Sequence, residues 1–233
     1  MIVPDAAALE DHVLRVRACR RCSSVQPPPV VADAVAGAEV MLVGQAPGPH
    51  ERDSSRLFAF TAGTRLFSWF ASLGVEEQDF RDRVWMSATI RCFPGRQTAG
   101  GDRAPTPLEI ATCRPYLEQE LRMLQPSLVL AVGTLAIASF LGSGALADCV
   151  GRIFSVELAG LSFEVLPLPH PSGRSTWINQ PRNAALLGSA LSLLADAPAW
   201  RRTFADRVDP NGPKGSKGPD GPDVARRGYN GKP

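Results

Sequence analysis

The chain has 233 residues, of which 44% are hydrophobic, so it is long enough for one sizeable α/β domain or two small ones. Its net charge is only +2, which excludes the broad basic surface of many nucleic-acid-binding domains, so contact with phosphate would need a local patch of arginines. The sequence has no run of about 18 apolar residues, which excludes a membrane-spanning helix.

The two ends of the chain set the expected domain boundaries. Residues 1–14 lack the basic-then-apolar pattern of a secretory signal, so we expect a cytoplasmic protein. After residue 200 the sequence becomes rich in Gly, Pro, Asp and Lys and loses its periodicity. We therefore predict a single domain at 1–200 and a Gly/Pro-rich tail at 201–233 that is disordered from about residue 208.

Apolar spacing predicts helices that alternate with strands along the domain. This alternation indicates a mostly parallel sheet with helices on both faces. The helix that begins at Thr106 has the strongest signal, because a Thr cap, a Pro and a Glu follow one another as in a capping box. The predicted helices are 6–18, 63–73, 106–124, 134–141 and 183–195, and the predicted strands are 39–44, 84–90, 127–133, 152–158 and 163–168.

The loop at residues 44–48 (Gly-Gln-Ala-Pro-Gly) directly follows the first predicted strand, and His50 and Glu51 come next. Ligands of open α/β sheets lie beyond the carboxyl ends of the strands, where this loop would be. Its glycines would let a ligand approach the main chain closely. A plain strand-to-helix connection would have a similar sequence, so the loop predicts a site only if other segments supply partners.

Two further polar loops follow predicted strands, at 91–103 and 170–174. His170 lies between two prolines at the end of a strand, where an imidazole could stabilise charge on a leaving group, although a capping histidine is the simpler interpretation. Arginines on this side of the sheet suggest phosphate contact rather than an ordinary solvated surface. These arginines are Arg91, Arg96, Arg103, Arg114 and Arg174.

Five cysteines are present, an odd number that argues against a disulfide framework. Cys19 and Cys22 form a Cys-x2-Cys pair in an Arg-rich segment, and Cys92 and Cys113 follow much later. Four thiolates could hold zinc or an iron–sulfur cluster, whereas buried free thiols are the alternative. We favour ligands for these four and packing or exposure for Cys149.

Together these segments resemble the uracil-DNA glycosylase superfamily, specifically the iron–sulfur branches known as families 4 and 5. The resemblance extends from about Cys19 to about Leu194. The motifs that carry it are Cys19-x2-Cys22, Gly44-Gln45-Ala46-Pro47-Gly48 with Glu51, Phe58 followed by Ala62-Gly63-x2-Leu66, Ile90-Arg91-Cys92 with Cys113, and His170-Pro171-Ser172.

The resemblance implies a three-layer α/β/α sandwich with a central four-stranded, mostly parallel sheet and a structural [4Fe–4S] cluster. It also implies a DNA glycosylase of base excision repair, which flips a deaminated base out of the stack and hydrolyses its glycosidic bond. We expect a monomer that acts on DNA containing uracil or another deaminated base and does not bind membranes. The implied cluster ligands are Cys19, Cys22, Cys92 and Cys113.

The implied site residues fall into three groups. His170 would donate to the O2 atom of the departing base, and Phe58 would stack on the flipped base. The candidate catalytic residues are His170, Gln45 and Glu51. The candidate substrate-binding residues are Gly44, Ala46, Pro47, Gly48, Phe58, Ala88 and Ser172. The candidate DNA-binding residues are Arg91, Arg96, Gly173, Arg174 and Trp177, the last three in the segment that matches a duplex-wedging loop.

Two departures from the family pattern affect the expected chemistry. Ala46 stands where the best-known branch has an Asp that positions water, and Ala88 stands near the position of an Asn that reads uracil. Families 4 and 5 also lack that Asp, and family 5 lacks the Asn and accepts more bases. We therefore predict relaxed or altered base choice. A branch that traps abasic DNA covalently has a His in the loop that corresponds to 91–106, and this chain has none there.

Two alternatives from other classes stay open at this point. The near-neutral body and the missing Asp and Asn would suit a non-catalytic protein that binds DNA lesions. A zinc-stabilised nucleotide-binding module would instead use residues 44–48 for phosphate, although the loop lacks the Lys-Ser/Thr ending of a phosphate-binding loop.

Overall fold

We describe the fold from a computed structural model of the chain, for residues 6–98, 100–173 and 176–205. Its centre is a five-stranded sheet with the order β2-β1-β3-β5-β4. The strands are β1 (Val40–Gly44), β2 (Trp85–Ala88), β3 (Leu128–Val132), β4 (Phe154–Leu158) and β5 (Leu161–Leu168).

The expected sheet of four strands has to be corrected to five. Strands β2, β1, β3 and β5 pair in parallel, whereas β4 joins β5 as an antiparallel edge strand. Ala159 and Gly160 connect β4 to β5 with positive φ angles of 55° and 78°, which suit a tight hairpin turn. The α/β class and the mostly parallel pairing are confirmed.

The helices predicted from apolar spacing are all present, and several shorter ones join them. Each additional helix has seven residues or fewer, which is too short for a periodic apolar pattern to be visible in the sequence. In the described residues the helices are α1 (Ala6–Arg17), α2 (Pro49–Ser54), α3 (Thr61–Ala71), α4 (Glu77–Arg83), α5 (Pro107–Leu124), α6 (Thr134–Leu141), α7 (Leu146–Cys149), α8 (Pro181–Asp196) and α9 (Pro198–Thr203).

Two hydrophobic cores lie on opposite faces of the sheet, so the structure has the predicted three layers. Alternate residues of β1 point to opposite sides, with Val40 and Leu42 in one core and Met41 and Val43 in the other. Helices α3, α4, α8 and α9 cover the first face, and α1, α5 and α6 cover the second.

The C-terminal boundary of the domain lies beyond residue 200. Trp200 and Phe204 are almost completely buried, and their rings pack on each other and on Phe80. The boundary expected at residue 200 therefore falls inside α9. The predicted tail from residue 206 onward lies outside the described residues, as does Arg174.

A buried carboxylate, Glu120 on α5, connects three separate parts of the chain. It accepts hydrogen bonds from Arg91 Nη2 at 2.7 Å and from Ser87 Oγ at 2.7 Å, and its other oxygen lies 3.2 Å from His12 Nε2. Burial by itself would raise the pKa of Glu120, but the Arg91 charge and the bonds from His12 and Ser87 lower it below its ordinary value. An ionised Glu120 thus holds α1, β2 and α5 together.

No helix in the described part of the chain is both long enough and apolar enough to cross a membrane.

We expect Glu120→Gln to lower the free energy of unfolding by about 3–5 kcal/mol, because it leaves the buried Arg91 charge without its partner. Urea unfolding followed by circular dichroism measures the change. Glu118→Gln on the same helix is the matched control, since Glu118 makes only surface pairs with Arg114 and Arg122 and should change stability by less than about 1 kcal/mol. Equal effects of the two substitutions would contradict the prediction.

Candidate active site

A cavity with a volume of about 660 Å³ lies at the carboxyl edge of the parallel strands. Strands β1, β2 and β5 end here, because parallel pairing brings Gly44 beside Ala88 and places the segment after Leu168 at the same edge. The cavity brings together most of the residues predicted for the site. Those that line it are Gly44, Gln45, Ala46, Pro47, Gly48, Glu51, Phe58, Ala88, Arg96, His170, Ser172 and Gly173.

The loop at 44–48 forms one wall of the cavity and is fixed through its backbone. The carbonyl oxygen of Gly44 accepts hydrogen bonds from the backbone N–H of Thr89 at 2.8 Å and from its hydroxyl at 3.2 Å. The carbonyl of Gln45 accepts from the N–H of Ile90 at 3.2 Å. These bonds continue the pairing of β1 with β2 past the end of both strands, so the loop has a defined position before any ligand binds.

Glu51, a candidate catalytic residue, braces two parts of the cavity wall. One carboxylate oxygen accepts the backbone N–H of Gly48 at 2.5 Å, and the other accepts the backbone N–H of Phe58. Burial raises the pKa of Glu51 above its ordinary value, although these two N–H groups oppose that rise. Glu51 therefore determines where the loop and Phe58 lie relative to each other.

Phe58 is held in a backbone conformation that is uncommon for a residue with a side chain, with a φ of 52°. Arg81 donates to its carbonyl oxygen at 3.1 Å and to that of Leu57 at 2.9 Å. The ring of Phe58 lies against Gly44, where an added Cβ would come within 2.9 Å of the ring atom Cζ. Helix α3 approaches Phe58 more closely still, because a Cβ on Gly63 would lie 1.7 Å from the Phe58 carbonyl oxygen.

His170 follows β5 and presents a defined tautomer to the cavity. The backbone N–H of Ser172 donates to Nδ1 at 3.2 Å, so the proton of the neutral ring is on Nε2. Burial lowers the pKa of His170 below its ordinary value, which favours this neutral form. Gly133, with a φ of 89°, leaves room for the ring, since a Cβ there would lie 3.0 Å from Cδ2.

The prediction that Arg91 contacts DNA is wrong. It is 2% exposed and paired with Glu120 in the interior, so it cannot reach a phosphate group. Arg96, by contrast, is exposed and lines the cavity. Trp177 is half-buried against the core rather than free at the surface, and the amide of Asn183 donates to its carbonyl oxygen at 2.9 Å.

The cavity also contains Phe60 and Asp102, which were not selected from the sequence as site residues, and Arg103, which was suggested there for phosphate contact. Phe60 is 52% exposed, and its ring lies 4.2 Å from that of His50, centroid to centroid. Asp102 and Arg103 belong to a small hairpin whose described residues are 95–98 and 100–103, in which the N–H of Arg103 bonds to the carbonyl of Gly95 at 2.9 Å. The Gly-rich composition of this segment predicts a loop, but nothing in the pattern indicates that it folds over the cavity.

Cys19, Cys22, Cys92 and Cys113 line a second cavity of about 220 Å³, as the sequence predicts for a common site. Burial raises the pKa of Cys92 to about 12, and the neighbouring Cys113, Cys19 and Cys22 add to the rise. Such thiolates would need a cationic group to compensate their charge. Among the described residues, however, no three His, Cys, Asp or Glu side chains are placed to hold one metal ion.

The two cavities are joined through Arg103. Its guanidinium donates to Glu109 Oε2 at 2.8 Å and to the carbonyl of Ser24 at 2.9 Å, and the Ser24 hydroxyl donates to Glu109 at 2.6 Å. The hydrogen bond from Arg103 lowers the pKa of Glu109 to about 2. The hairpin beside the large cavity is thus anchored to the segment that carries Cys19 and Cys22.

Comparisons with known proteins show which family this chain is similar to. The family described as the uracil DNA glycosylase superfamily matches residues 33–194. The chain is 27% identical over 173 residues to a type-4 uracil-DNA glycosylase of Archaeoglobus fulgidus, a match that covers 71% of this chain and 82% of that protein. It is 31% identical over 138 residues to a type-4 enzyme of Pyrobaculum aerophilum (57% and 66% covered) and 28% identical over 203 residues to a type-5 enzyme of the same organism (72% and 86% covered).

We expect Gly63→Ala to lower the free energy of unfolding by about 3 kcal/mol, since the new methyl group would overlap the Phe58 carbonyl. The matched control is Gly188→Ala in the exposed part of α8, where a Cβ meets nothing within 4 Å. That substitution should stabilise the protein by about 0.5–1 kcal/mol, because Ala favours a helix more than Gly does. Urea unfolding of both variants tests the opposite signs, and a stabilised Gly63→Ala protein would contradict the packing of Phe58.

Proposed function

The chain belongs to the uracil DNA glycosylase superfamily, and we propose from this that it is a DNA glycosylase that removes uracil or another deaminated base. The reaction hydrolyses the N-glycosidic bond and leaves an abasic site. The observation that supports this most strongly is the meeting of the 44–48 loop, Phe58 and His170 in one cavity. Its volume of about 660 Å³ is within the range of pockets that enclose small organic ligands, so a flipped base can enter.

The side chains of the cavity suit this chemistry. A base that enters would stack on the ring of Phe58. As the glycosidic bond breaks, negative charge develops on the base, and the Nε2–H of His170 is available to donate a hydrogen bond to its O2 atom. A neutral imidazole with a fixed tautomer keeps this donor ready, because the other ring nitrogen already accepts from Ser172. Backbone N–H groups of the loop would add to the stabilisation.

The rim of the cavity suits DNA. Arg96 is exposed, and no ion pair or hydrogen bond of its side chain occurs within residues 6–98, 100–173 and 176–205, so its charge is available to phosphate. Gly173 begins the segment proposed to wedge into the duplex. Ala88 is 1% exposed and offers only a methyl group to the edge of the base, which supports relaxed base choice.

We propose a [4Fe–4S] cluster on the four cysteines of the smaller cavity. The donor set fits a cationic cluster. Burial and the neighbouring cysteines raise the pKa of the Cys92 thiol, so a thiolate there needs positive charge beside it. The cluster would supply a covalent link between chain segments rather than a step of the reaction. A single zinc ion on the same four thiolates is the alternative, and the metal content of the purified protein separates the two.

The glycosylase proposal predicts that the purified protein excises at least one base from duplexes that contain uracil, hypoxanthine or xanthine. His170→Ala should slow single-turnover excision at least about tenfold, that is by more than about 1.4 kcal/mol of barrier, because the donor to the leaving base is lost. Thermal melting checks that this variant is folded. Binding to abasic DNA without excision of any base would overturn the proposal in favour of a lesion-binding protein.

The cluster proposal predicts a brown protein with about four iron atoms per chain when it is purified without oxygen. Cys92→Ser should lose most of the iron and the colour and should melt at a lower temperature. Cys149→Ser is the matched control, because Cys149 lies away from the cysteine cavity and its replacement should leave the iron content unchanged. A colourless protein loaded with zinc would contradict the assignment.

A further inference from the structure

Only two carboxylates line the large cavity in the described residues, and the structure holds them differently. Glu51 comes from α2 and Asp102 from the hairpin at 95–103. The 44–48 loop and the end of β2 offer no base, since Ala46 and Ala88 are methyl groups and Gln45 is a neutral amide. The imidazole of His50 also lines the cavity, but its ring lies against that of Phe60. A hydrolytic reaction in this cavity needs a group that orients water and takes its proton, so the difference between the two carboxylates matters.

Both oxygens of Glu51 already serve the wall of the cavity. They accept the backbone N–H groups of Gly48 and Phe58, and proton transfer to either oxygen would weaken one of these bonds. Burial raises the pKa of Glu51, and the two backbone N–H groups that it accepts oppose that rise. Glu51 is therefore a positioning residue.

Asp102 lies beside the same loop, on the side of Gly48 where Glu51 also lies. Its Oδ2 atom lies 3.7 Å from the position that a Cβ on Gly48 would occupy, so the carboxylate lies directly against the 44–48 loop. Within the part of the chain that the structure describes, its side chain makes no hydrogen bond and no ion pair. The carboxylate is thus exposed to the cavity and available to a water molecule.

The backbone that carries Asp102 is well fixed although its side chain is free. Arg96 and Asp102 form an antiparallel bridge, and the N–H of Gln97 bonds to the carbonyl of Gly101 at 2.8 Å. The neighbouring Arg103 does not neutralise Asp102, because its guanidinium is directed away to Glu109 and Ser24. The hairpin therefore presents one uncompensated carboxylate to the cavity.

We propose that Asp102 is the catalytic carboxylate that orients the attacking water and accepts its proton, an inference that rests on the glycosylase function proposed above. The bond between C1′ and the base nitrogen breaks, and its electron pair leaves with the base, which His170 stabilises. The water oxygen then forms a bond to C1′, and one water proton passes to the Asp102 carboxylate. The departing base takes up a proton from solvent, and Asp102 returns its own to solvent.

The test separates chemistry from binding. Asp102→Asn keeps the size of the side chain but removes its charge and its basicity. Removal of a negative charge beside DNA should leave the affinity for DNA equal or stronger. We therefore expect a single-turnover excision rate about 100-fold lower, together with an unchanged or smaller Kd for a duplex that contains the uncleavable analogue 2′-fluoro-2′-deoxyuridine. Asp102→Glu should recover part of the rate.

The matched control is Asp82→Asn, which removes one exposed carboxylate from α4, outside the cavity, and should leave the rate unchanged. If the unmodified protein excises a base and both Asp102→Asn and Asp102→Ala keep its excision rate within about threefold, the role of Asp102 is overturned while the glycosylase function stands. An excision rate that falls by the same factor as the Kd for DNA rises would also overturn the role of Asp102, because the loss would then lie in binding. Failure of the unmodified protein to excise any base would overturn the proposed function, and the role of Asp102 with it.

Discussion

The ion pair between Glu120 and Arg91 is the interaction on which the rest of the structure depends. A carboxylate and a guanidinium are stable in the interior only when they pair with each other, so they force their chain segments into one arrangement. His12 and Ser87 complete the coordination of Glu120. Through this network α1, which leads to Cys19 and Cys22, is held against the chain that carries Cys92 and against α5, which carries Cys113. The four cysteines line one cavity because one buried charge has to be satisfied.

Hydrogen bonds also connect the cysteine cavity to the large cavity at the carboxyl edge of the sheet. Arg103 bonds to Glu109 and Ser24, next to the cysteines, while its own hairpin lies over the larger cavity. A loop that would otherwise be free to move is thus fixed at its base, and Asp102 and Arg96 take defined positions at the rim. A cluster bound by the thiols would strengthen this link without taking part in the reaction.

Within the large cavity, most of the polar residues position other groups and do not react themselves. Glu51 uses both carboxylate oxygens to hold Gly48 and Phe58. Ser172 sets the tautomer of His170, and burial keeps the ring neutral. Pre-organised groups of this kind need no rearrangement as charge develops on a leaving base. This leaves few groups for proton transfer, which is why a free carboxylate on the hairpin is significant.

The sequence by itself determined the local features: the alternating elements, the Thr106 helix start, the strand-end loops and the cysteines, because periodicity and turn chemistry act over neighbouring residues. It could not show that Arg91 is buried, that Glu51 is a brace, or that Asp102 lies against Gly48. The burial of Arg91 and the place of Asp102 depend on contacts between residues distant in sequence, such as Arg91 with Glu120. The brace depends on how the chain folds back between Gly48 and Phe58. Only the tertiary structure decided which polar groups are satisfied by the protein and which remain for a ligand, since that balance is set by packing across the sheet.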